Sequence, residues 1–312
     1  MTATQPVGQA TPLPADALSI IDGYRTCEFA TIGKDGVPIA WPTCALYDAE
    51  RGTITVTTSI GLPTKAFNVR RNPRVSLLFS DPTGSGLADQ RQVFIVGDAT
   101  CPEEILTSPA GFEDYWRRLF ERQPSGRRYG ATGVSRRLMD WYYMRLVITV
   151  VPDRLEMRAP LQTADRVARR TRIGQGDDGA RVLRELPGFT SSVLSWRDET
   201  GSPRSARVLA VADAGGQVVL TSEEPLTAGR ASLLSHSHND ELAALRSFVA
   251  RGRVDSGADG WGFVPDRYVP GAAPTPGAAL RMLRGARRSA QRYLDTRGRS
   301  RPTIPWDEYR SL

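Results

Sequence analysis

The chain has 312 residues, 40% hydrophobic and 24% charged, a composition that suits about two folded domains and excludes a disordered chain. No run approaches the roughly 18 apolar residues of a membrane helix, so no membrane span is expected. The net charge of +7 is local: eight arginines and one acid, Asp295, lie between Arg281 and Arg301, so this stretch alone carries +7 and the rest is neutral.

That location removes nucleic acid as a partner of the folded body. Segment 1–14 is polar and proline-rich, without the basic-then-apolar order of a signal peptide. Three cysteines, Cys27, Cys44 and Cys101, have no metal-like spacing and fit a reduced, cytoplasmic setting. Only two lysines are present, Lys34 and Lys65; every other basic side chain is arginine.

In chain order, 18–25 reads as a short helix leading into an apolar β-prone run, 29–32. Lys34-Asp35-Gly36 is a turn signal, and 39–47 resumes a strand. The β-branched segment 53–59 is a third strand, broken by Gly61 and Pro63. Residues 64–71 read as a short helix with Pro63 at its start, stopped by Asn72-Pro73 because the residue before proline leaves the α region. Strands follow at 74–79 and 92–99. Residues 112–122 show aromatic and charged side chains at helical spacing, and 146–151 is a last strand. From 161 to 179 the composition turns to Arg, Asp, Gly and Thr without an apolar stripe, which predicts a linker.

The second half repeats the first. Val193-Leu194-Ser195-Trp196 parallels Ala30-Thr31-Ile32, each followed by a glycine turn. The run 207–212 parallels 39–47, and Val218–Ser222 (VVLTS) parallels Ile54–Ser59 (ITVTTS). Phe248–Gly252 parallels Phe94–Gly97, and Phe263-Val264-Pro265-Asp266-Arg267 parallels Val150-Val151-Pro152-Asp153-Arg154. Five matches in one order argue for a duplicated β unit. Short strands with turns between them predict a barrel or sandwich in each half. The expected division is 14–160, linker 161–181, 182–272, and a tail at 273–312.

The stretch 54–81 carries the chemistry. A strand ends in Thr57, Thr58 and Ser59, a tight turn follows, and a helix begins near Pro63. A helix N-terminus offers unpaired N–H groups and a positive dipole end, which suits a phosphate. Lys65 in its first turn opposes the dipole by itself and makes sense if an anion binds there. The alternative is a plain surface lysine; the scarcity of lysine and the converging hydroxyls weigh against it.

The segments Phe29–Ile32, Gly36-Val37-Pro38, Thr57-Thr58-Ser59, Lys65–Leu77 (KAFNVRRNPRVSL) and Val96-Gly97-Asp98-Ala99 resemble the pyridoxamine 5′-phosphate oxidase-like split-barrel superfamily, in particular its flavin/deazaflavin oxidoreductases. The resemblance covers about 17–158 well and the second half in outline. It implies a split barrel of antiparallel strands; with the duplication, the expectation is a mainly β protein with flanking helices (α+β), built as two tandem split β-barrels that form a single-chain pseudodimer. By position it implies cofactor contacts from Trp41, Pro42, Thr43, Thr58, Ser59, Lys65 and Asn68. Arg207, with Arg204, would face the anionic cofactor across the groove. Deazaflavin binders of this family often have Arg two residues before the lysine; here that residue is Pro63, which leaves FMN and F420 open. The second copy of the segment, Thr221-Ser222 to Thr227-Ala228-Gly229-Arg230, has no lysine and is expected to be degenerate.

Two further features stand apart. Both histidines lie in Ser235-His236-Ser237-His238-Asn239-Asp240. A His-x-His-x-Asp cluster can hold a transition metal or contact heme, or it can be a polar helix or loop with local hydrogen bonds; no metal is assigned. The tail at 278–294 is amphipathic, with an apolar stripe opposite Arg281, Arg284, Arg288 and Arg292. It is read as a solvated helix lying on the body, the alternative being a face that binds an acidic cofactor, a membrane surface or nucleic acid.

The sequence therefore predicts an FMN- or F420-dependent oxidoreductase acting on a small-molecule substrate, with no membrane span, no nucleic acid and an optional further homodimer. The competing reading is a non-enzymatic flavin-, deazaflavin- or heme-binding protein on the same fold. No catalytic acid or base is named, because the cofactor would carry the redox chemistry.

Overall fold

The computed structural model describes residues 13–162, 178–212, 218–257, 260–273 and 275–312; most of the expected linker, 163–177, lies outside them. The first half runs α1 (Ala15–Gly23), β1 (Cys27–Ile32), β2 (Pro38–Thr43), β3 (Ala45–Asp48), β4 (Thr53–Ser59), α2 (Thr64–Arg71), β5 (Arg74–Phe79), β6 (Gln92–Thr100), α3 (Glu113–Arg122), α4 (Pro124–Arg128), α5 (Gly133–Tyr143) and β7 (Arg145–Arg158). The second runs α6 (Asp178–Glu185), β8 (Ser192–Arg197), β9 (Pro203–Ala212), β10 (Val218–Thr221), β11 (Gly229–Ser237), β12 (Arg246–Gly257) and β13 (Gly260–Pro270), then α7 (Pro276–Asp295) and α8 (Trp306–Arg310).

The first sheet has the order β2-β1-β5-β6-β7-β4-β3, and the second is a closed barrel, β10-β13-β12-β11-β8-β9. Replacing β1, β5, β6, β7 and β4 by β8, β11, β12, β13 and β10 turns one order into the other. The remaining strand differs. In the second barrel β9 pairs with both β8 and β10 and closes it. In the first, the same path is interrupted at Cys44, so β2 pairs with β1 and β3 with β4. The result is two tandem barrels, the first curled and split, the second closed.

Local details repeat as well. The hairpins β1–β2 and β8–β9 start from the pairs Ile32–Pro38 and Arg197–Pro203. Each turn carries a glycine with positive φ two residues before the proline, Gly36 at 79° and Gly201 at 81°, a region open to glycine and strained for other residues. This equivalence matches Glu28 with Val193 and Pro42 with Arg207, since both are register pairs at the same distance from the turn. The pairing of β6 with β7 slips at Val96/Gly97, and that of β12 with β13 at Arg251/Gly252. A Cβ on Gly97 would lie 2.3 Å from the Val151 carbonyl oxygen, and one on Gly252 would lie 2.2 Å from that of Val264. Both bulges therefore require glycine.

One core fills the first barrel and a second fills the other. Between them a smaller apolar patch joins Ala30, Ala40, Leu78, Phe94 and Val96 to Val193, Leu234 and Val249. Strand β1 is buried on both faces for this reason: Cys27 and Phe29 point into the first core, while Ala30 meets the second barrel. Hydrogen bonds frame the patch, from Ser232 Oγ to the Pro38 carbonyl (2.6 Å) and from Arg158 Nη1 to the Ser205 carbonyl (2.8 Å).

Several elements differ from expectation. Helices α4 and α5 occupy a Gly-, Ser- and Arg-rich stretch that carries little helical pattern. The second opens on a capping box between Thr132 and Ser135. Trp141, Tyr142 and Tyr143 end α5 inside the first core beside Trp116. Strand β7 is 14 residues long because it pairs with β4 at one end and β6 at the other. No helix corresponding to α2 is present between β10 and β11. The histidine segment is neither helix nor free loop: His236 lies in β11, paired opposite Ser247 of β12. Helix α7 buries Ala286, Ala290, Tyr293 and Leu294 on the first barrel and leaves most of its arginines outside.

Candidate functional site

The predicted cofactor residues fall into two groups on opposite faces of β1. The first surrounds Lys65. Strand β4 delivers Thr58 and Ser59 to the turn before α2, where both hydroxyls are engaged. Thr58 Oγ1 donates to the Leu62 carbonyl (2.7 Å). Ser59 Oγ donates to the Trp141 carbonyl and accepts from the Gly61 N–H (2.9 Å). These residues build the turn, and Gly61 lets α7 approach it, since a Cβ there would lie 3.0 Å from the Ala286 carbonyl oxygen. Helix α2 starts at Pro63 without a side-chain cap, so its first-turn N–H groups keep the open character of a helix start.

Lys65 is half-buried and donates to Thr43 Oγ1 (3.2 Å) at the end of β2. Burial, then the neighbouring Arg145 guanidinium, lower its ammonium pKa to about 8. Arg145 opens β7, lies 4.0 Å over the Tyr142 ring, and has no hydrogen-bond partner at Nε or Nη2 among the described residues. No carboxylate pairs with either cation among the described residues. Asn68 is buried and ties α2 to β1, donating to Thr31 Oγ1 (2.9 Å) while its Oδ1 accepts from Arg71 Nη2 (3.2 Å). Trp41 and Pro42 are half-buried on β2, paired with Phe29 and Glu28.

Arg207 does not join this group. Lys65 lies on the Cys27–Thr43 side of β1, and Arg207 lies on the Glu28 side, where consecutive strand residues point oppositely. Its guanidinium is already engaged: Nη2 donates to Glu28 Oε1 (2.7 Å), Nε to Ser80 Oγ (2.8 Å) and Nη1 to Ser191 Oγ (2.8 Å). Lys65 and Arg207, expected at one anion, thus have separate partners in this structure. Arg204 is likewise engaged, pairing with Glu156 (2.6 Å).

Arg207 instead belongs to a second group at the junction of the barrels. Glu28 is fully buried. It accepts from Arg207, from His236 at Oε1 (2.8 Å) and from Ser80 at Oε2 (2.8 Å). Beside it, Asp81 accepts from the Thr83 N–H (3.1 Å). Burial alone would raise the Asp81 carboxyl, but Arg207 and His236 outweigh it and hold it down at about 2. Asp81, Gln92, Thr190, Arg207, His236 and His238 line a cavity of about 280 Å³. The sequence carried one sign of this group: Glu28 is the only charged residue in an otherwise apolar strand.

No family model matches the sequence, and no curated protein does. Solved structures do match. An F420 reductase is 19% identical, over 46% of this chain and 98% of its own, with a TM-score of 0.32. A conserved hypothetical protein from Mycobacterium tuberculosis is 24% identical, over 53% of this chain and 99% of its own, with a TM-score of 0.34. The heme storage protein HutZ from Vibrio cholerae is 14% identical, over 47% of this chain and 96% of its own, with a TM-score of 0.33. These neighbours are split-barrel proteins of the pyridoxamine 5′-phosphate oxidase-like kind, each matched nearly whole by about half of this chain. Scores this low carry no argument about function, and the fold stands on its own strand order.

Proposed function

We propose that this chain holds a flavin-type phosphate cofactor, FMN or F420, against the first barrel and serves as an oxidoreductase for a small organic substrate. The observation that carries the reading is the pair Lys65 and Arg145: two neighbouring cations near an uncapped helix start, paired with no carboxylate among the described residues. A phosphate fits that donor set, because it would supply the missing negative charge and accept from Lys65 Nζ, Arg145 and the first-turn N–H groups.

The cofactor would supply the hydride chemistry, and the protein binding and orientation. Lys65 would bind the phosphate, with Thr43 steering its ammonium. Thr58, Ser59 and Asn68 would fix the turn and the helix, and Trp41 and Pro42 would flank the ring system. The units 14–160 and 182–272, with the tail 273–312, belong to the same reading: the second barrel takes the place a partner subunit has in a dimer. Among the described residues no helix is long and apolar enough to cross a membrane.

The test is absorbance and mass spectrometry of the purified full chain, followed by titration with FMN and F420. Lys65→Ala should weaken cofactor binding about 10- to 100-fold, the size of a lost charged hydrogen bond. Unchanged affinity would remove Lys65 from the site. A Soret band in place of a flavin spectrum would overturn the cofactor reading.

A further inference from the structure

The cavity beside Asp81 lies where the two barrels repeat each other. With Glu28 matched to Val193, the register pairs Glu28–Leu78 and Val193–Leu234 match Leu78 with Leu234. The segment Ser80-Asp81-Pro82 of the first barrel then corresponds to His236-Ser237-His238 of the second. Both segments line the cavity, so it straddles the axis that relates the barrels. Identical subunits would make its two sides alike. Here one side brings a carboxylate and the other two imidazoles.

The walls are polar. Among the lining side chains only Pro82, Pro160 and Leu161 are apolar, and none besides the two imidazoles is a ring that could stack on a flat ligand. Apolar and drug-like ligands take pockets of the opposite character. Arg207 has its Nε, Nη1 and Nη2 engaged by Ser80, Ser191 and Glu28, so it is not free to hold an anion. Against its burial, the Arg207 guanidinium keeps Asp81 ionised. Asp81 Oδ1 accepts from the Thr83 N–H (3.1 Å), whereas Oδ2 has no hydrogen-bond partner among the described residues. The ring nitrogens nearest to Oδ2 stand at 3.5 and 3.9 Å, beyond a normal hydrogen bond. A shielded carboxylate oxygen without a donor is costly. Around it the side-chain hydroxyls of Thr83, Thr190 and Ser237 are likewise unpaired among the described residues.

We propose that this cavity binds a small, neutral, open-chain polyol, with Asp81 Oδ2 accepting from one of its hydroxyls and Thr83, Thr190 and Ser237 meeting the others. A hydroxyl both donates and accepts, so it suits a carboxylate, a protein hydroxyl and an imidazole nitrogen with or without its proton. The fit therefore does not turn on the protonation of His236 or His238. The lack of an aromatic platform favours an open chain over a pyranose ring. The volume of 280 Å³ falls at the lower edge of ligand pockets, about 300–1,000 Å³, and suits a molecule the size of a pentitol. Gln90 and Thr190 are exposed at the rim and leave an entry from solvent. The site lies on the Glu28 side of β1, away from the Lys65 group, and stands without the cofactor.

The cofactor-free full chain is titrated by calorimetry with xylitol, and with glucose and ethanolamine as a ring sugar and a small amine. The expected result is one saturable xylitol site per chain. Asp81→Ala should weaken it about 10- to 100-fold, the size of a lost hydrogen bond to a charged group. Thr190→Trp should abolish it, because the indole enters the cavity from its exposed rim. Circular dichroism reports whether each variant keeps the fold, and Thr190→Trp, at an exposed position, carries the test if Asp81→Ala does not. Absence of saturable xylitol binding overturns the proposal, as does binding that Thr190→Trp leaves unchanged. Ethanolamine bound in preference to xylitol overturns it too, since Asp81 would then hold a cation. Glucose bound more tightly than xylitol overturns the open-chain assignment.

Discussion

Lys65→Met removes the positive charge of the half-buried ammonium and keeps most of its volume. The wild-type ammonium falls from 10.5 to about 8 on folding, which corresponds to about 3 kcal/mol. Folding therefore favours the neutral amine. Between pH 8 and 10.5 the unfolded chain holds a proton that the folded chain has released, so stability rises with pH across this window. Below pH 8 the whole penalty is present. Lys65→Met should accordingly stabilise the cofactor-free protein at pH 7 by up to about 3 kcal/mol and lose that advantage as pH approaches 10.5. Urea unfolding of both proteins at pH 7, 9 and 10.5 measures the difference. A variant less stable than wild type at pH 7, or one whose advantage does not depend on pH, would refute the claim that Lys65 is an uncompensated cation. A bound phosphate cofactor should reverse the sign, since it favours the charged amine; binding should then weaken above pH 8.

Glu28→Gln leaves Arg207 buried beside His236 without its carboxylate, and a broken buried ion pair costs about 3–5 kcal/mol. A loss below about 1 kcal/mol in denaturant unfolding would show that the cluster relaxes into water. Gly252→Ala and Gly97→Ala each drive a methyl against a backbone carbonyl 2.2–2.3 Å away, and overpacking of this kind costs about 1–3 kcal/mol. Thermal melts should show both destabilised by similar amounts; a neutral result at one of them would separate the two bulges.

The sequence reads well where local chemistry decides the outcome. The β-branched run before Gly61 becomes β4, Asn72-Pro73 ends α2, and the paired glycine turns and V-P-D-R segments mark the duplicated strands. Position around Lys65 is legible too, because turn, helix start and lysine are consecutive. What is not legible is assembled across the chain. Glu28, Ser80, Arg207 and His236 come from four separate places, and only the packing of one barrel on the other brings them together. Arg207 therefore reads as a free cation in sequence and is a saturated one in the fold. The histidine segment misleads because its polar alternation marks a strand with one face turned into a charged interface. Helices α4 and α5 escape because arginine, glycine and serine dominate their outer surfaces, and their apolar residues cluster only at the end of the second.

The match of Glu28 with Val193 and of Pro42 with Arg207 bears on symmetry. In a pair of identical subunits any acid on one strand appears on its symmetry mate as well, so a single Glu–Arg contact across the junction must occur twice or not at all. Here the acid stands on one copy and the base on the other, while their counterparts are valine and proline. Two barrels in one chain are free of that constraint. The absence of a helix between β10 and β11 and the presence of His236 on β11 are further differences between the halves that identical subunits could not show.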